Sequence, residues 1–289
     1  ELYVRWLQFA VFTPIFRPHG TALYEMDPAA HSFPSEPALI GHPYRQYAKE
    51  AVRLRYQLLD YNYSLAYEQA KNGKPLMAPL YYHFATDTTA SKIEDEYMWG
   101  ENFLVTPVLE KGVKTRNYYL PKGKWYELQN YKFLEGGAWY SDTLSLTSIP
   151  VFIKEGSFIP LDNVTPITNV ANARGIESIV YLPSQNRSKY SLFDDDGKSK
   201  HSVGNKRYNL VQFQSTGVTN SRIRITINNQ HTDLKRPFRK KFKLVIPGLE
   251  RKPSRVMLNN KAVKFSSTAN AILINLSYTG QPLSIVIDL

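Results

Sequence analysis

The strongest constraint on how this 289-residue chain folds is one change of hydrophobic period, at Asn72-Gly73. Before it, apolar residues recur three and four positions apart, which is typical of helices that bury one face. After it, short runs of β-branched and aromatic residues alternate with turns rich in Gly, Pro, Asn and Asp, as in antiparallel β-sandwiches. The sequence therefore predicts an α/β segment followed by an all-β remainder.

The first helix is predicted over residues 3–12, which are nearly all apolar. Arg5 and Gln8 form a narrow polar stripe on a helix that we expect to be mostly buried. Pro14 and Pro18 then leave room for only a short buried strand. A helix, a short strand and a polar loop follow one another in this order in α/β units.

A second helical pattern covers residues 44–71, and Gly73 supplies its stop. Its length predicts a bend or a split near Asp60. The residues between the two patterns, 21–43, contain Pro28, Pro34, Pro37 and Pro43 and predict a long irregular loop. Loops of that length in a compact protein are often functional.

Charge divides the chain near residue 162. Residues 1–162 contain 16 Lys and Arg against 18 Asp and Glu, whereas residues 163–289 contain 20 against 7. The densest basic run, 235–243, could bind nucleic acid through its cations and aromatics, or it could be a strand edge that Lys and Pro protect from pairing. Because no nucleic-acid motif accompanies the run, the edge is favoured and we expect no nucleic-acid partner.

Composition excludes several classes of protein. The chain is 43% hydrophobic and 21% charged, which fits a folded globular protein, and no run approaches the roughly 18 apolar residues of a membrane span. We therefore expect no membrane partner. The absence of cysteine rules out disulfides and thiolate metal sites, and it is compatible with a periplasmic or secreted location as well as with the cytoplasm.

The candidate site residues are Arg17 and His19, at the far end of the short predicted strand. In α/β barrels the active site is built at that end of the strands. An imidazole there can bond sugar hydroxyls through both ring nitrogens. The alternative is a histidine that caps the strand end by bonding to the backbone.

Five segments of the chain resemble glycoside hydrolase family 31, which contains α-glucosidases and α-xylosidases. The first resembles the end of the family's catalytic barrel and contains Glu1-Leu2-Tyr3, Arg5-Trp6, Gln8-Phe9, Pro14-Ile15-Phe16-Arg17 and His19-Gly20. The others, in register, lie within 55–68, 73–80, 97–109 and 119–157. The run 190–199 resembles, more loosely, a signature of the distal β-domain of bacterial members.

The resemblance implies the end of a (β/α)8 barrel and then two antiparallel β-sandwich domains. Residues 1–85 would be the barrel part, 86–162 a proximal β-domain and 163–289 a distal basic β-domain. The implied function is the C-terminal portion of a retaining α-glycosidase that hydrolyses α-glucosidic or α-xylosidic bonds in oligosaccharides. Its partners would be the oligosaccharide substrate and the missing N-terminal part of the barrel, and no cofactor is expected.

The resemblance also assigns roles within the site. The family's matching histidine lies in the subsite of the sugar whose bond is cut, so substrate contact is carried over to His19 and a supporting role to Arg17. Retaining glycosidases need two carboxyl groups about 5–5.5 Å apart. In the family both are Asp residues earlier in the barrel, and neither motif occurs here. We therefore expect no catalytic residue in these 289 residues and no activity from them alone.

The chain departs from the family pattern at several positions. Glu36-Pro37 is followed by Ala38-Leu39 rather than by aromatics, Asp60 replaces a usual Pro, and Ala78 replaces a usual Arg. These changes affect the expected shape of the sugar pocket. A partial barrel should also expose apolar surface, and we expect this at Leu7, Phe9, Val11, Phe12 and the aromatics of 61–67. The N-terminal part, or a second copy in a homo-oligomer, would cover that surface.

Two features leave alternatives open. The chain could be a non-catalytic carbohydrate-binding or structural β-sandwich module if Trp125 and Trp139 are exposed and stack on sugars, although their β-pattern surroundings favour packing. The aspartates at 194–196 could bind Ca²⁺, but they lack the ligand spacing of an EF-hand. A turn whose carboxylates accept backbone N–H groups is favoured, so no metal is expected.

Overall fold

The helices lie at the start of the chain. A computed structural model describes residues 1–19, 36–164, 175–219, 221–233, 235–249 and 251–289. Its α-helices are α1 (Leu2–Ala10), α2 (Tyr44–Gln57), α3 (Leu59–Asn72) and the short α4 (Leu80–His83), with 3-10 turns at Pro37–Leu39 and Ala90–Lys92. None of these helices is long and apolar enough to cross a membrane.

The long predicted helix splits as expected. The break lies at Leu58, two residues before Asp60. Helix α3 ends at Gly73, whose φ of 71° is the left-handed conformation that suits a residue without a side chain. The short strand predicted after the first helix is wrong, because residues 13–19 form no strand and Ile15 is 76% exposed. A parallel barrel strand needs neighbours to pair with, and the described residues supply none there.

Residues 77–154 form an antiparallel sheet and a separate ribbon. The sheet has the order β1-β2-β3-β8-β5-β6, and the ribbon pairs β4 with β7. Their bounds are β1 Met77–Pro79, β2 Tyr97–Trp99, β3 Phe103–Val105, β4 Thr115–Leu120, β5 Lys124–Glu127, β6 Phe133–Glu135, β7 Ala138–Thr143 and β8 Val151–Lys154.

The remaining strands form two sheets that pack into a sandwich. One has the order β17-β18-β14-β10-β9 and the other β11-β12-β13-β19-β15-β16. Their bounds are β9 Phe158–Asp162, β10 Ile176–Tyr181, β11 Ser188–Asp195, β12 Tyr208–Thr219, β13 Arg222–His231, β14 Lys240–Pro247, β15 Arg255–Leu258, β16 Lys261–Ala262, β17 Ser266–Ser267, β18 Ala271–Tyr278 and β19 Leu283–Asp288. Across the sandwich, the Phe213 ring lies 5.8 Å from Phe158 and 6.3 Å from Phe242.

This order of elements confirms the predicted fold class, an α/β segment and then β-sandwiches. Within the sandwich, β10 and β14 pair in parallel, whereas the other pairs are antiparallel. Strand β9 ends at Asp162 yet pairs with β10, so one sheet joins residues on both sides of position 162. The domain boundaries stay predictions.

The basic run does not form a strand edge. Its strand, β14, is the third of five strands and pairs with β10 on one side and β18 on the other. Phe242 and Leu244 are buried in the core, while Lys241 and Lys243, which alternate with them along the strand, are exposed. The alternation of lysine and apolar residues therefore marks a solvated sheet face rather than an unpaired edge.

The apolar residues expected on an open face are mostly buried by this chain. Phe12 packs against Phe103 with ring centroids 5.7 Å apart, and Tyr61 meets Phe103 edge-on at 5.1 Å. Leu7 and Val11 are buried as well. That part of the expectation is wrong, because the β-sheets cover these faces. Among the described residues up to 72, the large apolar side chains that are exposed are Leu2, Trp6, Ile15, Leu39 and Tyr56.

Candidate functional site

Helix α1 is attached to the β-rich part of the chain by its polar side chains. Arg5 is 2% exposed and donates from Nη1 to the carbonyl oxygens of Ser145 (2.7 Å) and Ser148 (3.1 Å). Gln8 donates to the carbonyl oxygen of Leu146 over 2.9 Å. The predicted polar stripe is therefore buried, and its hydrogen bonds fix the position of α1.

Arg55 of α2 holds the segment that follows α1. Its guanidinium donates to the carbonyl oxygens of Val11 (2.8 Å), Thr13 (2.6 Å) and Pro14 (3.2 Å). It also lies 5.7 Å from the centroid of the Phe16 ring, a cation–π contact. Burial lowers the pKa of Arg55, but a guanidinium stays charged in proteins. One cation thus fixes the backbone immediately before the candidate site residues.

Arg17 and His19 come directly after this fixed backbone, and both side chains are exposed. Glu25 and Asp27, the carboxylates that follow them, lie outside the described residues. The structure therefore shows both candidates at exposed positions two residues apart in the chain. Their contact with substrate stays a prediction.

Arg55 is a positioning residue that sequence reasoning missed. It begins the family-like segment 55–68, but its partners are backbone carbonyls, which leave no mark in a sequence. The sequence did offer one signal, an arginine within a predicted amphipathic helix. If such an arginine is mostly buried, its charge requires hydrogen-bonding partners.

The aspartate run 194–196 forms the predicted turn. Asp195 Oδ1 accepts the N–H of Gly197 at 2.9 Å, and Asp196 Oδ1 accepts the N–H of Ser199 at 2.8 Å. The Ser199 hydroxyl and the backbone N–H groups hold the pKa of Asp196 well below its usual range. Among the residues that the structure describes, no three His, Asp or Glu side chains group as metal ligands would.

Asp195 also connects the helical region to the sandwich. Tyr63 of α3 donates its hydroxyl to Asp195, with distances of 2.9 and 3.0 Å to the two carboxylate oxygens. The Ser202 hydroxyl donates to the same carboxylate at 2.7 Å. One turn along α3, the Tyr67 ring stacks on Phe193 with centroids 4.4 Å apart. Helix α3 therefore contacts strand β11 of the sandwich through both polar and aromatic side chains.

Asp60, where the family usually has Pro, makes a bond that proline cannot make. Its backbone N–H donates to Asp162 Oδ2 at 2.8 Å, and Asp162 is 2% exposed. Proline has no N–H. The departure from the family pattern therefore adds a hydrogen bond between α3 and β9.

The two candidate tryptophans differ. Trp125 is fully buried and donates from Nε1 to the carbonyl oxygen of Pro121 at 2.7 Å, so it is a packing residue. Trp139 is 58% exposed on the β4–β7 ribbon, where its ring lies 5.6 Å from that of Tyr119. Only Trp139 could stack on a sugar without rearrangement.

Glu96, just before β2, is a buried carboxyl group. Its Oε1 accepts the N–H of Tyr119 at 2.7 Å. Burial raises the pKa of Glu96 to about 7, more than that hydrogen bond and the nearby Arg116 lower it. It is therefore a buried titratable group between the first sheet and the β4–β7 ribbon, and its charge changes near neutral pH.

The helical region and the first β-rich region match one family. Residues 1–65 match the "Glycosyl hydrolases family 31 TIM-barrel domain", and residues 73–159 match the "Glycosyl hydrolase family 31 C-terminal domain". The chain belongs to glycoside hydrolase family 31, and its N-terminal helices are the end of the family's barrel.

Particular relatives carry α-glycosidase names. The chain is 33% identical over 199 residues to "Alpha-glucosidase 2" of Bacillus thermoamyloliquefaciens, covering 69% of this chain and 24% of the relative. It is 34% identical over 201 residues to the "Alpha-xylosidase" of Saccharolobus solfataricus, covering 68% of this chain and 25% of the relative. It thus spans about a quarter of the length of these relatives.

A solved structure matches nearly the whole chain. The GH31 dextranase of Flavobacterium johnsoniae, solved in complex with isomaltotriose, is 25% identical to it, with a TM-score of 0.84. The match covers 99% of this chain and 37% of the dextranase.

Proposed function

We propose that this chain is the C-terminal portion of a retaining α-glycosidase that hydrolyses α-glucosidic or α-xylosidic bonds in oligosaccharides. In this proposal the catalytic nucleophile and acid/base belong to earlier strands of the same barrel. His19 contacts the sugar whose bond is cut, and Arg17 supports it. One observation carries the proposal: Arg55 binds the backbone carbonyls just before Arg17 and His19. All of these residues lie in the part of the chain that matches the family's barrel.

Surface apolar residues support a missing barrel partner. Leu2 and Trp6 lie four apart on one face of α1 and are both exposed, and Ile15 and Tyr56 add further exposed apolar area. Monomeric proteins cover most such surface. Because the chain belongs to the family, the remaining strands and helices of the barrel are the partner that would cover this surface.

The test is hydrolysis of aryl α-glucoside and aryl α-xyloside by this chain alone and by the chain co-expressed with the preceding barrel residues. We expect no turnover from the chain alone and turnover from the pair. In the active pair, His19→Ala should lower kcat/KM about 100-fold, because it removes a contact to the reacting sugar worth about 2–3 kcal/mol.

His201→Asn is the control. It changes another exposed histidine, at a φ of 59° that Asn tolerates, and should leave kcat/KM unchanged. Turnover by the chain alone, or an unchanged kcat/KM in the His19 variant, would contradict the assigned roles. The exposed Trp139 favours the alternative, a non-catalytic carbohydrate-binding module. Sugar binding by the chain, together with an inactive pair, would select that alternative.

A further inference from the structure

A cleft of about 460 Å³ opens where the helical region, the first sheet and the sandwich meet. Its walls come from α3, from α4, from the turn 100–102 and from strands β11 and β12 of the sandwich. The candidate site residues Arg17 and His19 do not line it. Ligand pockets commonly lie at junctions of this kind and have volumes of about 300–1,000 Å³.

The close approach of two walls depends on Gly100. This residue has a φ of 61°, and a Cβ atom there would come within 2.6 Å of the Tyr61 hydroxyl and 2.7 Å of Leu65 Cδ2. Any side chain would therefore push the turn away from α3. Because Gly100 has no side chain, the turn can lie against α3 and form this side of the cleft.

The charges of the cleft cancel. Two carboxylates, Glu68 and Glu101, and two ammonium groups, Lys74 and Lys189, line it. Lys74 and Glu101 form an ion pair at 2.9 Å, and Glu68 accepts a hydrogen bond from Asn72 at 2.7 Å. A cleft that is polar but carries no net charge matches a neutral polar ligand better than an anion or a cation.

One wall offers uncommitted hydrogen-bonding groups. Nε2 of His83 is buried and has no hydrogen-bond partner among the described residues. A buried polar atom without a partner costs about 1–3 kcal/mol, so a turn of the ring that brings this nitrogen to a ligand in the cleft is favoured. Burial lowers the pKa of His83, which keeps the imidazole neutral and able to donate or accept. On the opposite wall, Gln212 lines the cleft; its Oε1 accepts a hydrogen bond from Gln214 Nε2, and its own Nε2 can donate to a ligand.

An aromatic ring stands at the mouth of the cleft. Tyr82 is 55% exposed, and its ring packs edge-on against His83 with centroids 5.0 Å apart. A ring held in this way presents an apolar face beside polar groups. Sugars have the complementary surface, with C–H groups on the ring faces and hydroxyls at the edge.

We propose that this cleft is a second, non-catalytic binding site for a neutral saccharide, with Tyr82 stacking on a sugar ring and His83 and Gln212 bonding its hydroxyls. The inference rests on the proposed function only for the choice of α-linked glucose units as probes. Its role would be to hold a substrate chain on the surface away from the place of hydrolysis.

The test is titration of the 289-residue chain with maltotriose and with isomaltotriose, followed by NMR and calorimetry. We expect saturable binding that Tyr82→Ala weakens about tenfold, the factor that corresponds to about 1.4 kcal/mol, and that Tyr82→Phe retains. Gln212→Ala should weaken binding independently, from the opposite wall.

Tyr81→Ala is the matched control. Tyr81 is the neighbouring residue, is equally exposed at 55%, and does not line the cleft, so its loss should leave affinity unchanged. Equal losses at Tyr81 and Tyr82 would overturn the proposal, as would no saturable binding by the unaltered chain. Tighter binding of glucuronate than of glucose would overturn the neutral ligand. Hydrolysis by the completed barrel is measured separately, so either proposal can fail without the other.

Discussion

The helical region, residues 1–72, and the sandwich, residues 158–162 and 176–289, bury their apolar side chains to different extents. In the described part of the sandwich, Val203, at 36%, is the only large apolar side chain that is exposed. The helical region exposes Leu2, Trp6, Ile15, Leu39 and Tyr56 in a much shorter stretch. The described strands therefore leave almost no large apolar side chain of the sandwich exposed, whereas the helices have a second side that the described residues do not cover. Fold class alone would not have revealed this difference.

The largest effect is expected when a buried side chain of the sandwich is truncated, in comparison with an exposed side chain of the helical region. Phe213 is fully buried between the two sheets of the sandwich, so Phe213→Ala should lower the free energy of unfolding by about 4 kcal/mol. Ile15→Ala removes an apolar side chain that is 76% exposed and should cost less than about 0.5 kcal/mol. Urea unfolding followed by tryptophan fluorescence measures both. Similar costs at the two positions would mean that Ile15 is covered in solution, by a second copy for example.

The next effect concerns pH and the buried carboxyl group of Glu96, which lies beside the first sheet. The pKa of Glu96 is about 7 in the folded chain against 4.5 ordinarily. The unfolded chain therefore loses this proton first, and stability falls as pH rises from about 4.5 to 7, by about 3 kcal/mol in all. Glu96→Gln keeps an oxygen for the N–H of Tyr119 and should remove this loss.

Melting temperatures at pH 4 and pH 8 measure the effect. The variant should match the unaltered chain at pH 4 and exceed it at pH 8. Glu94→Gln, at an exposed carboxylate two residues earlier, is the control and should change neither value. Hydrogen exchange should show the loss in the first sheet and α1 before the sandwich. A uniform loss across the chain would mean that the two regions unfold as one unit.

The smallest effect tests the contact between the regions. Tyr63→Phe removes the hydroxyl that bonds Asp195 and should cost about 1 kcal/mol. Tyr56→Phe, at a side chain 43% exposed, is the control and should cost nothing measurable. Hydrogen exchange of residues 59–72 should rise in the first variant only. No change there would show that the stacked rings of Tyr67 and Phe193 hold the regions together by themselves.

Much of the fold could be predicted from local patterns. The all-β remainder predicted after Gly73 contains strands such as Arg255–Leu258 and Leu283–Asp288, because alternation and turn residues determine such strands locally. The place of β14 within its sheet could not be read in this way. Alternation tells which residues of a strand face solvent, but not which strands lie beside it.

The candidate site was predictable only in part. The family motif identified Arg17 and His19, but the tether made by Arg55 joins a side chain to backbone carbonyls far along the chain. The same limit applies to the cleft at Tyr82, whose walls come from residues more than a hundred positions apart. Contacts of that kind depend on tertiary packing, which a single sequence does not record.

The pairing of β9 with β10 has a consequence for building chimeras. A graft that transfers the sandwich to another protein and cuts after Asp162 would leave behind the strand that closes one side of its five-stranded sheet. The transplanted piece would then present a row of unpaired backbone groups on β10 and would be prone to self-association. A junction placed before Phe158 carries that strand along, so the transferable cassette begins several residues earlier than the change in charge suggests.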